Sequence, residues 1–506
     1  MSRRPRTART PRDGRLVQRA FGEVRNPFAP MRIISEDQVE MIHQTSLTIL
    51  RDIGLKVDSK LARDLLAAAG ADVDHSNNRV RFDPAMVEEM LTGIPSEFTI
   101  HARNPDKTVT VGGNSLTFAT VCGPPFVSDL DRGRRAGTLE DMRNFVKLSA
   151  SLNIFHHEGG SGVEPLELPP ETRHLDMMLA QTTLCDKGWH PCWMNTGARA
   201  RDCIEMAKIA LQTDDDGLRA RPGIIGGINT NSPLLLDDGQ AEGLIEFARA
   251  GQPVHVTPFT LSGAMSPATI GGALVQQNAE ALAGIVLGQA ACRGAPVFYG
   301  HFTSNVDMKT GSPAFGTPEY AKSVIASGQL ARRYGLPIRS SNTTASPCVD
   351  LQAAYESDMS VAACVQGHVN VMMHAGGWLE GGLTCSFEKL ILDAELLQMQ
   401  AEFLTPLDLS ADALGLEAIA EVGPAGHFFG TAHTLARYET AFYHPILSDG
   451  RNYENWQDDG GKTATQRANT IWKQLLNDYE KPPIDPAVEE ELEAYVARRK
   501  EQILPS

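Results

Sequence analysis

Between about residues 152 and 375 the chain repeats one unit: a short apolar run, a helical stretch, then another apolar run. The runs fall at 153–157, 190–194, 224–228, 254–259, 297–302, 337–341 and 369–374, with starts about 30 to 43 residues apart. That interval holds one strand, one helix and two loops. Strands spaced this way pair in parallel through helical crossovers. Seven such units and a weaker eighth at 427–430 predict an α/β chain closed into a (β/α)8 TIM barrel. In a barrel of this kind the chemistry gathers at the C-terminal ends of the strands.

Helix signals flank the runs. Ser35 followed by Gln38 is a capping box at the start of a helix over 34–54, which Gly54 ends. Helices at 60–69 and 84–91 and strand-like pieces at 98–102 and 108–111 complete an N-terminal, mainly helical cap with a small sheet. Thr138 begins the helix expected before the first barrel strand. Helices then follow at 171–187, 199–211, 238–250, 269–293, 318–334, 350–366 and 386–398. A further helix is expected at 412–420, and a charged one at 483–501 on the surface. The division expected is a basic, disordered tail over 1–30, the cap over 31–137, the barrel over 138–470 and a C-terminal helical extension over 471–506.

Charge excludes some partners. The formal net charge is −16, yet residues 1–30 hold eight Arg and two acids, so the rest carries about −22. So acidic a body offers phosphate no attractive surface, which argues against nucleic acid. No apolar segment reaches the length of a membrane span. The eight Cys are scattered and form no CxxC pair, as expected of reduced thiols in a cytoplasmic protein.

Several run ends carry polar groups that are costly to bury alone. They are His156-His157-Glu158; His190, Cys192 and Asn195; Asn229-Thr230-Asn231; His255; Tyr299, His301 and Asn305; Arg339-Ser340-Ser341-Asn342; and His374 with Trp378 and Glu380. Taken singly, each is as well explained by core packing. Together they predict a polar cavity at one rim of the barrel. His190-x-Cys192 has the spacing of half a zinc site, but no HExxH and no paired CxxC accompany it, so no metal is expected. No Walker A motif, strand–helix GxGxxG or GxSxG elbow is present.

The stretch His374-Ala375-Gly376-Gly377-Trp378-Leu379-Glu380-Gly381-Gly382-Leu383-Thr384 resembles the trimethylamine:corrinoid methyltransferase family. So do Gly316-Thr317-Pro318-Glu319 and Ile53-Gly54-Leu55-Lys56-Val57, and the likeness covers about residues 31–470. The family implies a (β/α)8 barrel that brings a methylated amine to the cobalt of a separate corrinoid protein. Its founding members carry pyrrolysine. This chain has only the twenty standard residues, so it is similar to the branch acting on glycine betaine and related quaternary amines.

The resemblance implies that the corrinoid belongs to a partner, since no DxHxxG run occurs here, and that the chain forms a homo-oligomer. It implies catalytic roles for His374, Glu380 and Glu158, with Tyr299, His301, Phe302, Arg339, Asn342, Trp378, Asn195 and His255 binding substrate. Aromatic faces at Tyr299, Phe302 and Trp378 would hold the cation, and Glu158 or Glu380 would balance it. His374 and Arg339 would meet a betaine carboxylate. A tertiary methylamine donor, a lyase or hydrolase on the same barrel, and a betaine-binding protein without catalysis stay open as alternatives.

Overall fold

The structure is a computed structural model that describes residues 16–504, apart from Ser161, Cys192 and Trp193. Its centre is a ring of eight parallel strands: β1 (Ser115–Phe118), β2 (His157–Glu158), β3 (Gly188–Trp189), β4 (Gly226–Ile228), β5 (Val254–Val256), β6 (Val297–Gly300), β7 (Ile338–Ser341) and β8 (Val371–Met373). A continuous ladder runs from β4 through β5, β6, β7 and β8 to β1, and β2 pairs with β3. The ladder is not continuous all the way round. Single bridges, Ala119 with His157 and Trp189 with Ile224, join β1 to β2 and β3 to β4.

Each strand leads to a helix of the outer layer. These are α1 (Leu139–Ser151), α2 (Arg173–Leu184), α3 (Gly197–Ala210), α4 (Asp238–Arg249), α5 (Ile270–Ala291), α6 (Pro318–Tyr334), α7 (Leu351–Gln366) and α8 (Phe387–Phe403). Thr138, Thr269, Thr317, Asp350 and Ser386 accept backbone N–H bonds as N-caps, which is why the sequence marks these helix starts well.

The ring closes at the other end from the one expected. The first barrel strand is Ser115–Phe118, ahead of Thr138, and α1 follows it. Residues 427–430 form an exposed loop, not an eighth strand. The physical reason lies between β1 and α1. There the chain makes a hairpin, Phe126–Asp129 with Gly133–Ala136, which separates this strand from its helix and hides the unit. That hairpin joins Trp378–Leu379 and Thr384–Ser386, which follow β8, in a four-stranded lid over the C-terminal end of the barrel.

A second hairpin, Glu97–Ile100 with Val109–Gly112, plugs the opposite end. It hydrogen-bonds the chain just before β4 and β3, through His101 N to Pro222 O and Asn104 N to Asp186 O. Its Phe98, Ile100, Val109 and Val111 pack with Ala119, Ile225, Phe298, Val371 and Met373 to fill the lower interior.

The helical cap, Glu36–Thr48, Lys60–Ala68 and Pro84–Leu91, lies along α5. Covered by cap and barrel, α5 is buried nearly all round, as its apolar composition requires. Residues 16–30, expected to be part of a solvated tail, are built into the body. Val24–Arg25 pairs with Ser115 and Leu116, and the buried Asn26 donates to Val365 O. Residues 1–15 lie outside the described residues. The C-terminal helix Pro486–Ile503 is charged on one face, while Val488, Leu492 and Tyr495 are buried on the other, and Tyr495 donates to Asp202 at 2.7 Å. Among the described residues no helix is long and apolar enough to cross a membrane.

Candidate active site at the barrel mouth

Strand alternation decides which polar residues face the interior. Along β6, Phe298 points inward onto Phe98 at a ring separation of 5.1 Å, and Tyr299 points outward into the helix layer. Two residues on, His301 points outward again and Phe302 inward. The same rule sends Arg339 of β7 inward and Ser340 outward to His301.

A compact group therefore meets above the plug: His190, His255, Phe302, Arg339, His374 and Trp378. His190 Nε2 and His255 Nε2 lie 3.3 Å apart, and His255 Nδ1 contacts Thr257 Oγ1 at 2.7 Å. Gly227 of β4 makes room for this pair, because a Cβ there would lie 2.1 Å from His255 Cε1. Arg339 donates from Nη2 to His374 Nε2 at 3.2 Å and from Nη1 to His301 O at 3.2 Å. Its guanidinium carbon sits 5.2 Å from the Phe302 ring centre. The other ring nitrogen of His374, Nδ1, faces the Cys122 backbone N–H at 3.5 Å. The His374 ring packs on Trp378 at 4.4 Å, and Phe302 and Phe315 flank the indole at 6.0 Å each.

The histidines here are neutral. Burial, then the Arg339 charge, holds His374 well below its usual range, with His190 adding to it. Burial and then Arg339 lower His190 to about 3 and hold His255 well below its ordinary value. Arg339 is the one full charge in this group. Neutral imidazoles this hard to protonate are poor general acids at neutral pH.

Behind the mouth, a buried ion pair fixes the loops that carry these residues. Lys389 and Asp393 of α8 are both fully buried and meet at 2.5 Å. Asp393 Oδ2 accepts from Gly377 N at 2.8 Å, next to Trp378. Asn342, just past β7, donates to Asp393 Oδ1 and to Ala375 O. Burial raises the Asp393 carboxyl and lowers the Lys389 amine from their ordinary ranges. Trp378 is held from the other side as well: its Nε1 donates to Thr344 O at 3.1 Å.

Six of the expected site residues are placed elsewhere. Tyr299 hydrogen-bonds Asn278 and Gln277 on α5 and stacks near Tyr334, in the helix layer. His301 is tied to Ser340 and Ser323. Glu158 follows the inward His157 and so points out, accepting from Gln181 of α2. Glu380 lies on the lid, paired with Arg134 at 2.8 Å and with Thr384. Asn195 accepts from Arg199 at the start of α3, and Asn342 belongs to the ion-pair network. In each case the period-2 orientation, or a local partner, overrides mere nearness to a strand end.

His374, Arg339, Phe302, Trp378 and His255 do come together. Sequence reasoning missed Phe315, which sits in a loop with no strand signal; the neighbouring Gly316-Thr317-Pro318-Glu319 motif was the available clue. Among the described residues no group of three or more His, Cys, Asp and Glu is disposed to hold a metal ion. Cys192 falls outside them.

Fold and site together define a barrel enzyme whose mouth holds one cation among aromatic rings and neutral imidazoles. The chain belongs to the trimethylamine methyltransferase (MTTB) family, whose model matches residues 2–504, and it is a methyltransferase. It is 37% identical over 475 residues to the glycine betaine methyltransferase of Desulfitobacterium hafniense (strain Y51), covering 93% of this chain and 98% of that one. It is 27% identical to the trimethylamine methyltransferase MttB of Desulfitobacterium hafniense (strain DSM 10664 / DCB-2), covering 92% and 94%. The crystal structure of the Methanosarcina barkeri monomethylamine methyltransferase aligns with a TM-score of 0.49 at 9% identity, covering 88% and 93%.

Proposed function

We propose that this enzyme takes a methyl group from a quaternary amine that also bears a carboxylate, of the glycine betaine type, and delivers it to a corrinoid on a separate protein. The observation that carries the reading is the inward Arg339 between Phe302 and His374. A guanidinium recognises a carboxylate by paired N–H donors. The rings of Trp378, Phe302 and Phe315 supply the electron-rich faces that a trimethylammonium group prefers.

A zwitterion spanning Arg339 and the aromatic group balances both of its charges without a carboxylate from Glu158 or Glu380. The 37% identity to a glycine betaine methyltransferase points the same way. Trimethylamine, which has no carboxylate, leaves Arg339 without a role.

The corrinoid, when reduced, supplies the nucleophile for the methyl group. The task left to this chain is to hold the N–CH3 bond toward the mouth and to exclude water. The departing amine is neutral and needs no proton. That fits histidines held unprotonated, and it disfavours the lyase and hydrolase readings, which need a proton donor.

The test is spectral conversion of cob(I)alamin, free or on the cognate corrinoid protein, to its methylated form with a panel of methylamines. Methylation by glycine betaine or a close relative, but not by trimethylamine, is expected. Methylation by trimethylamine alone, or by no amine with the cognate corrinoid protein present, overturns the assignment.

A further inference from the structure

Parallel strands covered on both faces are ordinarily apolar on both. The outward side of β6 and of the residues just after it breaks that rule. Tyr299, His301 and Thr303 alternate there with the inward Phe298 and Phe302, and all three are fully buried. Each finds polar partners on the helices behind the wall. Tyr299 donates to Asn278 of α5 at 3.0 Å and accepts from Gln277 at 3.0 Å. Thr303 donates to Gln277 at 2.5 Å. His301 Nε2 lies 2.9 Å from Ser323 Oγ of α6, and that hydroxyl also reaches Thr303 O at 2.7 Å. Leucines and valines would fill this wall with no polar group to desolvate. What a satisfied buried network adds is a fixed direction for each side chain.

His301 is where this network meets the site. Its N–H donates to Arg339 O at 2.9 Å, and its own carbonyl accepts from Arg339 Nη1 at 3.2 Å. Its ring Nδ1 lies 2.9 Å from the hydroxyl of Ser340, the next residue along β7. One residue therefore grips Arg339 by its main chain, by its guanidinium and by its successor. Burial and then the Arg339 charge lower the His301 imidazole to about 3, so the ring is neutral and offers one donor and one acceptor to the two serines. An arginine side chain has much rotamer freedom to lose on binding. A guanidinium already held in place loses less of it when a ligand arrives.

We propose that His301 is a positioning residue for the substrate: clamped between Ser340 and Ser323, it holds the Arg339 guanidinium where a substrate carboxylate meets it. The His301 ring lies behind the barrel wall and touches no substrate, so it acts through Arg339 alone. The inference rests on the carboxylate reading proposed above and adds to it the residue that sets the geometry of the contact. It also gives the polar residues behind β6 a purpose that packing does not.

The test is a double-mutant cycle in the full chain, read by calorimetry as the dissociation constant of glycine betaine. The variants are His301→Leu, Arg339→Met and the two together, with Ser323→Ala as a milder cut in the same clamp. His301→Leu should weaken binding at least about 10-fold and Ser323→Ala about 3-fold. In the Arg339→Met background neither should matter by more than about 2-fold, because the group they position is gone. Tetramethylammonium, which has no carboxylate, should bind the wild type and His301→Leu alike. A residue that only stabilised the fold would weaken both ligands and both backgrounds equally, and that result overturns the proposal. So does unaltered betaine binding by His301→Leu or, where that variant does not fold, by Ser323→Ala. A wild type that binds tetramethylammonium but not glycine betaine refutes the carboxylate reading and this proposal together. Wild-type binding with additive losses refutes this proposal alone.

Discussion

Acidification should unfold this protein well before its carboxylates titrate. Six fully buried histidines, His156, His157, His190, His255, His301 and His374, are all lowered from 6.5 chiefly by burial. His156 falls to about 4, and His190 and His301 to about 3. Because the folded values are depressed, the unfolded chain binds protons first as pH drops below 6.5. The stability these groups contribute is therefore full above 6.5 and is lost progressively down to the folded values.

Going from about pH 7.5 to about pH 5.5 costs about 1.4 kcal/mol per histidine, or on the order of 8 kcal/mol for six. That is comparable with the whole stability of an ordinary fold, about 5 to 15 kcal/mol. Urea unfolding in the two buffers, with proton uptake followed by an indicator dye, measures both quantities. Uptake of about five protons on unfolding near pH 5.5 is expected. A stability change below about 2 kcal/mol, with uptake of fewer than about two protons, would refute the reasoning. It would mean that the interior imidazoles are hydrated or already charged in the fold.

Three substitutions probe the mouth more locally. Arg339→Met should raise KM for a betaine at least about 100-fold, the worth of a charge-assisted bidentate contact, and leave binding of tetramethylammonium nearly unchanged. Equal loss with both ligands would argue against a carboxylate site. Asp393→Asn leaves Lys389 buried without its counter-charge and should cost about 3 to 5 kcal/mol in a denaturant titration; a neutral outcome would show the pair to be dispensable. Gly227→Ala drives a methyl into the His255 ring and should cost about 1 to 3 kcal/mol of stability. Steady-state kinetics should also show a lower kcat/KM, whereas wild-type kinetics would place the His190–His255 pair outside the reaction.

The repeating unit was legible because five of the eight strands, β4 to β8, lie in short apolar runs followed by well-capped helices. Pro318–Tyr334 and Pro84–Leu91 begin and end where their caps and apolar spacing say they should. The second run was displaced: its strand is Gly188–Trp189, just ahead of the residues expected. Ser115–Phe118 was missed because four residues give no periodicity and their helix comes only after a hairpin. At the site, the residue types were readable but their directions were not. Tyr299 and Phe302 sit in one run, yet the pleat turns them to opposite sides of the barrel wall. Glu158 and His157 divide the same way. Side-chain partners such as Arg134 for Glu380 come from distant segments and leave no local mark.

The hairpin 97–112 closes the floor of the barrel and leaves the lid end as the only way in. On the function proposed above, an amine between Arg339 and Trp378 cannot leave through the floor, so a protein seated over the lid shuts the ligand in. Loading must then come before docking, and the spent amine must wait for undocking. Such a geometry imposes an order on the reactants. The acceptor, added in excess, should act as a substrate inhibitor of the amine.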